Sequence, residues 1–362
     1  MIKSKHNKRM ETIMTSVIKE FFGKTGEGCD VYAYTLDGGC GVSATVLTYG
    51  GILNRLMVTD KSGVARNTVL GYSDLVNYEK RGAYYGSLVG RCCNRIKKSR
   101  FTLNGKEYIL PENDKQNQLH GGPEGFSRKV WDAKENDDGS LSLYLESPDG
   151  DMGYPGNVKV KVTYSINGRA LSIHYEATTD SATVMNLTNH AYFDITGAGS
   201  GKTMDSILWL DCDRMTLTDK ELIPTGEIAS VEGTPYDFTT PKAVGRDIGC
   251  DYGLLSYFNG YDTNFYKKGY NGEASPIAKL TDAGCGLEMT VITDLPCVQL
   301  YTTNSVDDGS PDFADGAAHT LHCGICLETQ YAPDAINSPE ADCVILNPDE
   351  KFDSTTTFAF ND

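Results

Sequence analysis

No stretch of eighteen apolar residues occurs in the sequence, so a membrane-spanning helix is not expected. The basic start, MIKSKHNKRM, leads into the amphipathic ETIMTSVIKEFF and not into the apolar core of a signal peptide. A cytoplasmic location is the expectation. A disulfide framework is missing too. The eleven cysteines are odd in number and scattered, with Cys92 and Cys93 adjacent, as reduced thiols are. Cys323-x-x-Cys326 has neither the second pair nor the two close histidines of a structural zinc site. It also lacks the βαβ setting of a redox motif. It reads as two small strand residues packed in a core. No His, Cys and Asp cluster has metal-ligand spacing, and no cofactor is expected.

Positive charge is scarce. Lys and Arg number 33 against 49 Asp and Glu, a net charge of −16. Such a surface repels nucleic acid and anionic membrane and has no general attraction for phosphorylated ligands. It favours a neutral partner. Helical periodicity is rare as well. Met10, Ile13, Met14, Val17, Ile18, Phe21 and Phe22 fit one helix face, although SVIKEFF also reads as the start of a strand. YSDLVNYEKR can make one or two helical turns. No repeat, low-complexity segment or linker divides the chain.

Short alternating strands are abundant. In NVKVKVTYSI, Val158, Val160, Val162, Tyr164 and Ile166 share one face. A turn at Asn167-Gly168 leads to a second strand, and RFTLNGKEYIL forms a hairpin about Asn104-Gly105. SLSLYLES, SATVLTYGGILNRLMVTD and TTTFAFND are further strands. The fold class expected is all-β, a large antiparallel sandwich with few short helices. Residues 17–362 form one domain, preceded by an extension over residues 1–16.

One stretch departs from ordinary strand chemistry. In NLTNHAYFDITG the odd positions are apolar except for Asn189. Asn186, Thr188, His190, Tyr192 and Asp194 hold the even positions, with no Lys, Glu or Arg among them. A strand face that merely meets water usually carries such charges. Similar polar clusters recur. Arg91, Asn94 and Arg95 lie in GRCCNRI, His120 in QNQLHGG, Asp262 and Asn264 in NGYDTNF, Gln299 and Tyr301 in PCVQLYTTN, and Glu328 and Gln330 in GICLETQYAPD. Singly, each has a plain reading: a structural histidine, a glutamate on a solvated or edge face, an arginine in a surface ion pair.

Together, these segments, with VGRCCNRIKKSRFTLNGKEYIL and DGDMGYPGNVKVKVTY, resemble the aldose 1-epimerases, the galactose mutarotases, in motif and order over roughly residues 17–360. The resemblance implies a mutarotase-like supersandwich with a sugar cleft on a concave face. It implies anomer exchange of free aldohexoses such as galactose and glucose, without metal or organic cofactor. Glu328 matches the general base at O1 and His190 the general acid at O5. His120 and Arg95 match donors that stabilise the opened sugar. Asn94, Tyr192, Asp262 and Gln299 match sugar-binding positions. Arg91 has no assigned chemistry. Thr263 stands where His is frequent in the family, Cys297 and Thr303 where Gly is frequent, and Asp194 where Asn is common.

The expected partner is therefore a free monosaccharide, with no nucleic acid or membrane, bound by a monomer or weak homodimer. The polar face around His190 is expected to meet a polyhydroxylated ligand. Alternatively, only His190 touches it, and its neighbours satisfy nearby backbone groups. Rival readings are a hexose-6-phosphate 1-epimerase, which needs an Arg or Lys cluster, a non-catalytic carbohydrate-binding protein, and a glycosidase using Asp262 and Glu328.

Overall fold

The computed structural model describes residues 16–80, 83–305 and 313–361. Strands dominate, and among the described residues the two α-helices are short, Leu75–Lys80 and Leu254–Tyr257. A nine-stranded sheet runs in spatial order Asp132–Glu135, Leu141–Ser147, Val158–Asn167, Ala170–Thr179, Phe352–Phe360, Glu288–Thr293, Ser275–Thr281, Ile207–Leu210 and Lys242–Ala243. A six-stranded sheet runs Tyr192–Phe193, Ile325–Gln330, Cys297–Tyr301, Asp262–Lys267, Cys212–Thr218 and Pro224–Ser230. Five further strands, from Ser16–Lys24 to Ala65–Asn67, form a meander in chain order. The pairings in these sheets are antiparallel.

Alternation explains the layers. One parity of each strand turns inward. Phe265, Val298 and Leu327 of the six-stranded sheet share a core with Ile173, Val291 and Phe358 of the nine-stranded sheet and with Leu36, Val46 and Leu56 of the meander. Phe193 and Phe358 meet across the layers with ring centroids 4.9 Å apart. Val158, Val160, Val162, Tyr164 and Ile166 are all buried, as the sequence pattern requires.

The hairpin at Asn104-Gly105 has φ of 51° and 76° at its two corners, as a two-residue turn of that composition demands. The other hairpin turns one residue later than expected. Asn167 still pairs with Ala170, so Gly168 and Arg169 are the corners. Glycine takes the corner with positive φ, 58°.

Two expectations change. Residues 16–24 form a strand, because Asp30–Asp37 offers an open edge that SVIKEFFGK can extend. Residues 1–15, including the first part of the helical pattern, lie outside the described residues. NLTNHAYFDITG is not one strand. Thr188–Asn189 pairs with Leu88–Val89, whereas Tyr192–Phe193 pairs with Ile325–Cys326. The chain switches partners at His190, so both parities are buried.

Candidate active site

With Leu327 and Thr329 turned into the sandwich, Cys326, Glu328 and Gln330 face the other way. Gln299 lies opposite Glu328 and Tyr301 opposite Asp262, so Glu328, Gln299 and Asp262 project from three adjacent strands onto one surface. That surface floors a cavity of about 370 Å³. All eight residues proposed from the sequence line it: Asn94, Arg95, His120, His190, Tyr192, Asp262, Gln299 and Glu328.

His120 follows the short pairing of Gln118–Leu119 with Arg95–Ile96. Its backbone N–H donates to the Asn94 carbonyl at 3.0 Å, and the Asn94 backbone N–H donates to His120 Nδ1 at 3.2 Å. A backbone amide only donates, so Nδ1 is an acceptor and the neutral ring carries its proton on Nε2. Asn94 and His120 both have left-handed backbone, φ 58° and 53°, a conformation non-glycine residues hold only under constraint. The next residue must be glycine. A Cβ on Gly121 would lie 1.9 Å from the Gly90 carbonyl oxygen.

His190 sits where the chain changes sheets, clamped by bonds from its N–H to Ser87 O and from Gly86 N–H to its own carbonyl, each 2.9 Å. Its Nε2 lies 3.6 Å from Glu328 Oε1. The other carboxylate oxygen of Glu328 is buried with no protein partner. Burial lowers His190 to a pKa of about 4. Burial, reinforced by Asp262, drives Glu328 well above the usual carboxylate range. Burial and the nearby His190 and Arg95 hold His120 well below its ordinary value. Burial thus favours the neutral forms of these three side chains.

Aromatic rings frame these groups. Tyr192 lies near-parallel to His190 with centroids 5.0 Å apart, and Tyr84 does so at 5.9 Å. The Tyr192 hydroxyl donates to Ala83 O at 2.8 Å, so its ring, more than its hydroxyl, serves the cavity. Polar positions are braced in series. Asn94 Nδ2 donates to Gln299 Oε1 at 3.1 Å, and Gln299 Nε2 donates to Asp262 Oδ1 at 2.5 Å. Arg95 Nε donates to Asp114 Oδ2 at 2.7 Å, which aims the guanidinium while leaving its terminal nitrogens for another acceptor.

A family model for aldose 1-epimerases matches residues 32–359. The chain belongs to the aldose 1-epimerase family. It is 40% identical over 316 residues to a galactose mutarotase of Bos taurus, covering 87% of this chain and 90% of that protein. It is 38% identical over 348 residues to a galactose mutarotase of Mus musculus, covering 96% and 99%. A solved galactose 1-epimerase from Lactobacillus acidophilus NCFM is similar in structure, with a TM-score of 0.84 at 27% identity over 96% of this chain and 99% of that one. The mutarotase-like sandwich expected from the resemblance is the fold observed.

Several polar residues of the aldose 1-epimerase motifs have other work. Asn186 accepts from Tyr331 N–H and donates to Tyr331 O, each at 3.1 Å. Asp194 accepts from Thr196 Oγ1 at 2.5 Å. Neither they nor Thr188 line the cavity, so of the polar set in NLTNHAYFDITG only His190 and Tyr192 do. Arg91 is fully buried and donates to Ser147 O, Pro148 O and Pro155 O, each at 2.8 Å, and to Ser147 Oγ and Thr183 Oγ1. It is a structural keystone, whereas Arg95 forms the ion pair, with Asp114.

Thr303 has φ 50°. Its hydroxyl offsets part of that strain by donating to Gly324 O at 2.8 Å. Thr263 is absent from the lining of this cavity and lines a second one. Cys323 lies before the strand and is partly exposed, so of the Cys323/Cys326 pair only Cys326 is a buried strand residue. Sequence reasoning missed Tyr84, His319 and Tyr72 in the lining, and the bracing role of Asp114. None of these stands in a recognisable pattern. They reach the site through loops.

Proposed function

We propose that this chain is an aldose 1-epimerase that interconverts the α and β anomers of free aldohexoses such as galactose and glucose. The observation that carries this reading is the buried Glu328–His190 pair, 3.6 Å apart, at the floor of a cavity walled by hydrogen-bonding and aromatic side chains. A cyclic sugar opens when O1 loses a proton and O5 gains one. Glu328 as carboxylate takes the O1 proton, and His190 as imidazolium gives its Nε2 proton to O5.

That transfer turns a buried ion pair into two neutral groups, the state burial favours, so opening is helped by the site's low polarity. After rotation about C1–C2 the protons return and the ring closes on either face. His120 presents Nε2–H to the opened sugar, with Arg95 as a second donor. Asn94, Gln299 and Asp262 bind hydroxyls, and Tyr192 packs against the sugar ring.

Arg95 is the one Arg or Lys among the described residues lining the cavity, and Asp114 already pairs with it. That favours an unphosphorylated sugar over a hexose 6-phosphate. No helix among the described residues is long and apolar enough to cross a membrane. The odd number of scattered cysteines supports action on free sugar in the cytoplasm. Residues 17–362 as one domain and a monomer or weak homodimer complete the reading. Polarimetry on freshly dissolved α-galactose and α-glucose tests it. Accelerated mutarotation is expected. No acceleration points to a binding protein, and acceleration confined to the 6-phosphates points to the phosphosugar enzyme.

A further inference from the structure

The two histidines of the site differ in what touches Nδ1. At His120 it is a backbone N–H, which donates and can do nothing else. At His190 it is the sulfur of Cys326, 3.5 Å away. Cys326 is fully buried, stands opposite Tyr192 in the ladder, and precedes Glu328 by two residues on the same strand face. A thiol rotates, so it either donates its S–H or accepts a ring N–H at sulfur.

For Nε2 to give a proton to O5 and take it back, the neutral ring must hold its proton on Nδ1 and keep a lone pair on Nε2. Only an accepting or amphoteric partner permits this. We propose that Cys326 is a positioning residue whose sulfur accepts Nδ1–H of His190, so that Nε2 is the proton-exchanging nitrogen facing Glu328 and the sugar. The same contrast makes His120 a fixed Nε2–H donor. One histidine moves protons and the other only holds charge.

Two further facts agree. Burial drives the Glu328 carboxyl toward its protonated form, and a carboxylic O–H facing Nε2 requires the Nε2 lone pair. The His190 backbone carbonyl, an acceptor, also favours a protonated ring. Sulfur is a weak acceptor. It orients the ring without the strong proton-holding pull of a carboxylate partner, which suits an acid that must release its proton.

The proposal rests on the epimerase reading for its consequence but not for its first test. Long-range ¹H–¹⁵N NMR of ¹⁵N-histidine-labelled protein at neutral pH reports each tautomer directly. His190 is expected to carry its proton on Nδ1 and His120 on Nε2. Cys326→Ala should move His190 toward the Nε2–H tautomer and lower kcat about tenfold with KM little changed. Cys326→Ser, which keeps an accepting atom, should restore both the tautomer and most of kcat. His190 protonated on Nε2 in the native protein would overturn the proposal. So would Ser and Ala variants with equal losses, which mark simple packing. Opposite tautomers in a protein that does not accelerate mutarotation would leave the Cys326 contact standing and remove the epimerase reading instead.

Discussion

The backbone N–H of Asn94 reaches His120 Nδ1 at 3.2 Å, and that bond settles which ring nitrogen has a lone pair. His120, His190 and Glu328 place ligand-type atoms within 4.8 Å of one another, a grouping that resembles a two-histidine, one-carboxylate metal site. Nε2 of His120 carries the proton, so it has no electron pair to give a metal. Mutarotation should be unchanged after dialysis against EDTA. Loss on chelation with recovery on adding a divalent ion would contradict this.

Arg91 is the residue whose removal should cost most stability for least chemistry. Arg91→Ala leaves two buried carbonyls, the partly exposed Pro148 carbonyl and two hydroxyls without their donor. Each buried acceptor left unsatisfied costs about 1–3 kcal/mol, so the variant should lose several kcal/mol in all. Urea titration should show the midpoint falling accordingly, with the remaining folded enzyme keeping near-native KM. A midpoint within error of the native protein would show that the network contributes little.

Asp114 lies outside the cavity lining but holds the Arg95 guanidinium. Asp114→Asn keeps the shape and loses the charge-assisted bond, worth about 1.5–3 kcal/mol. Steady-state kinetics should show KM rising several-fold and kcat changing less. A drop in kcat with constant KM would instead place Arg95 among the groups that act only in the transition state.

Stability should depend on pH through His190. Folding lowers its pKa from 6.5 to about 4, so between those values the unfolded chain holds a proton the folded chain lacks. Its contribution is complete above about pH 6.5 and is lost as pH falls toward 4. The loss is on the order of 3 kcal/mol. Native protein should therefore lose more stability than His190→Gln across that interval, measured by denaturant titration at each pH. Parallel curves for the two proteins would contradict the buried, neutral His190.

The strand-rich sandwich was readable because alternation writes burial directly into sequence, as Val158 to Ile166 illustrates. The eight cavity residues were readable because motif order placed them together. Parity failed at NLTNHAYFDITG, where the chain changes strand partners at His190 and buries both faces. Arg91 was given no chemistry, and its structural role was not legible either: a buried guanidinium satisfied mainly by backbone carbonyls has no sequence signature. The roles of Asp114 and Cys326 depend on contacts with residues 19 and 136 positions away, which no local pattern encodes.

The pairing of Glu328 with His190 is the centre of the proposed mechanism, and exchange kinetics of the separate variants test it most directly. Glu328→Gln keeps the shape but cannot accept the O1 proton, and His190→Asn cannot deliver one to O5. Anomer exchange of galactose and glucose, followed by magnetisation-transfer NMR on folded protein, should fall roughly 10²–10⁴-fold in each. The double variant should lose less than the product of the two. Sugar binding by calorimetry should persist through Asn94, Arg95, Asp262 and Gln299. Near-native exchange in either folded variant would contradict the assignment of acid and base.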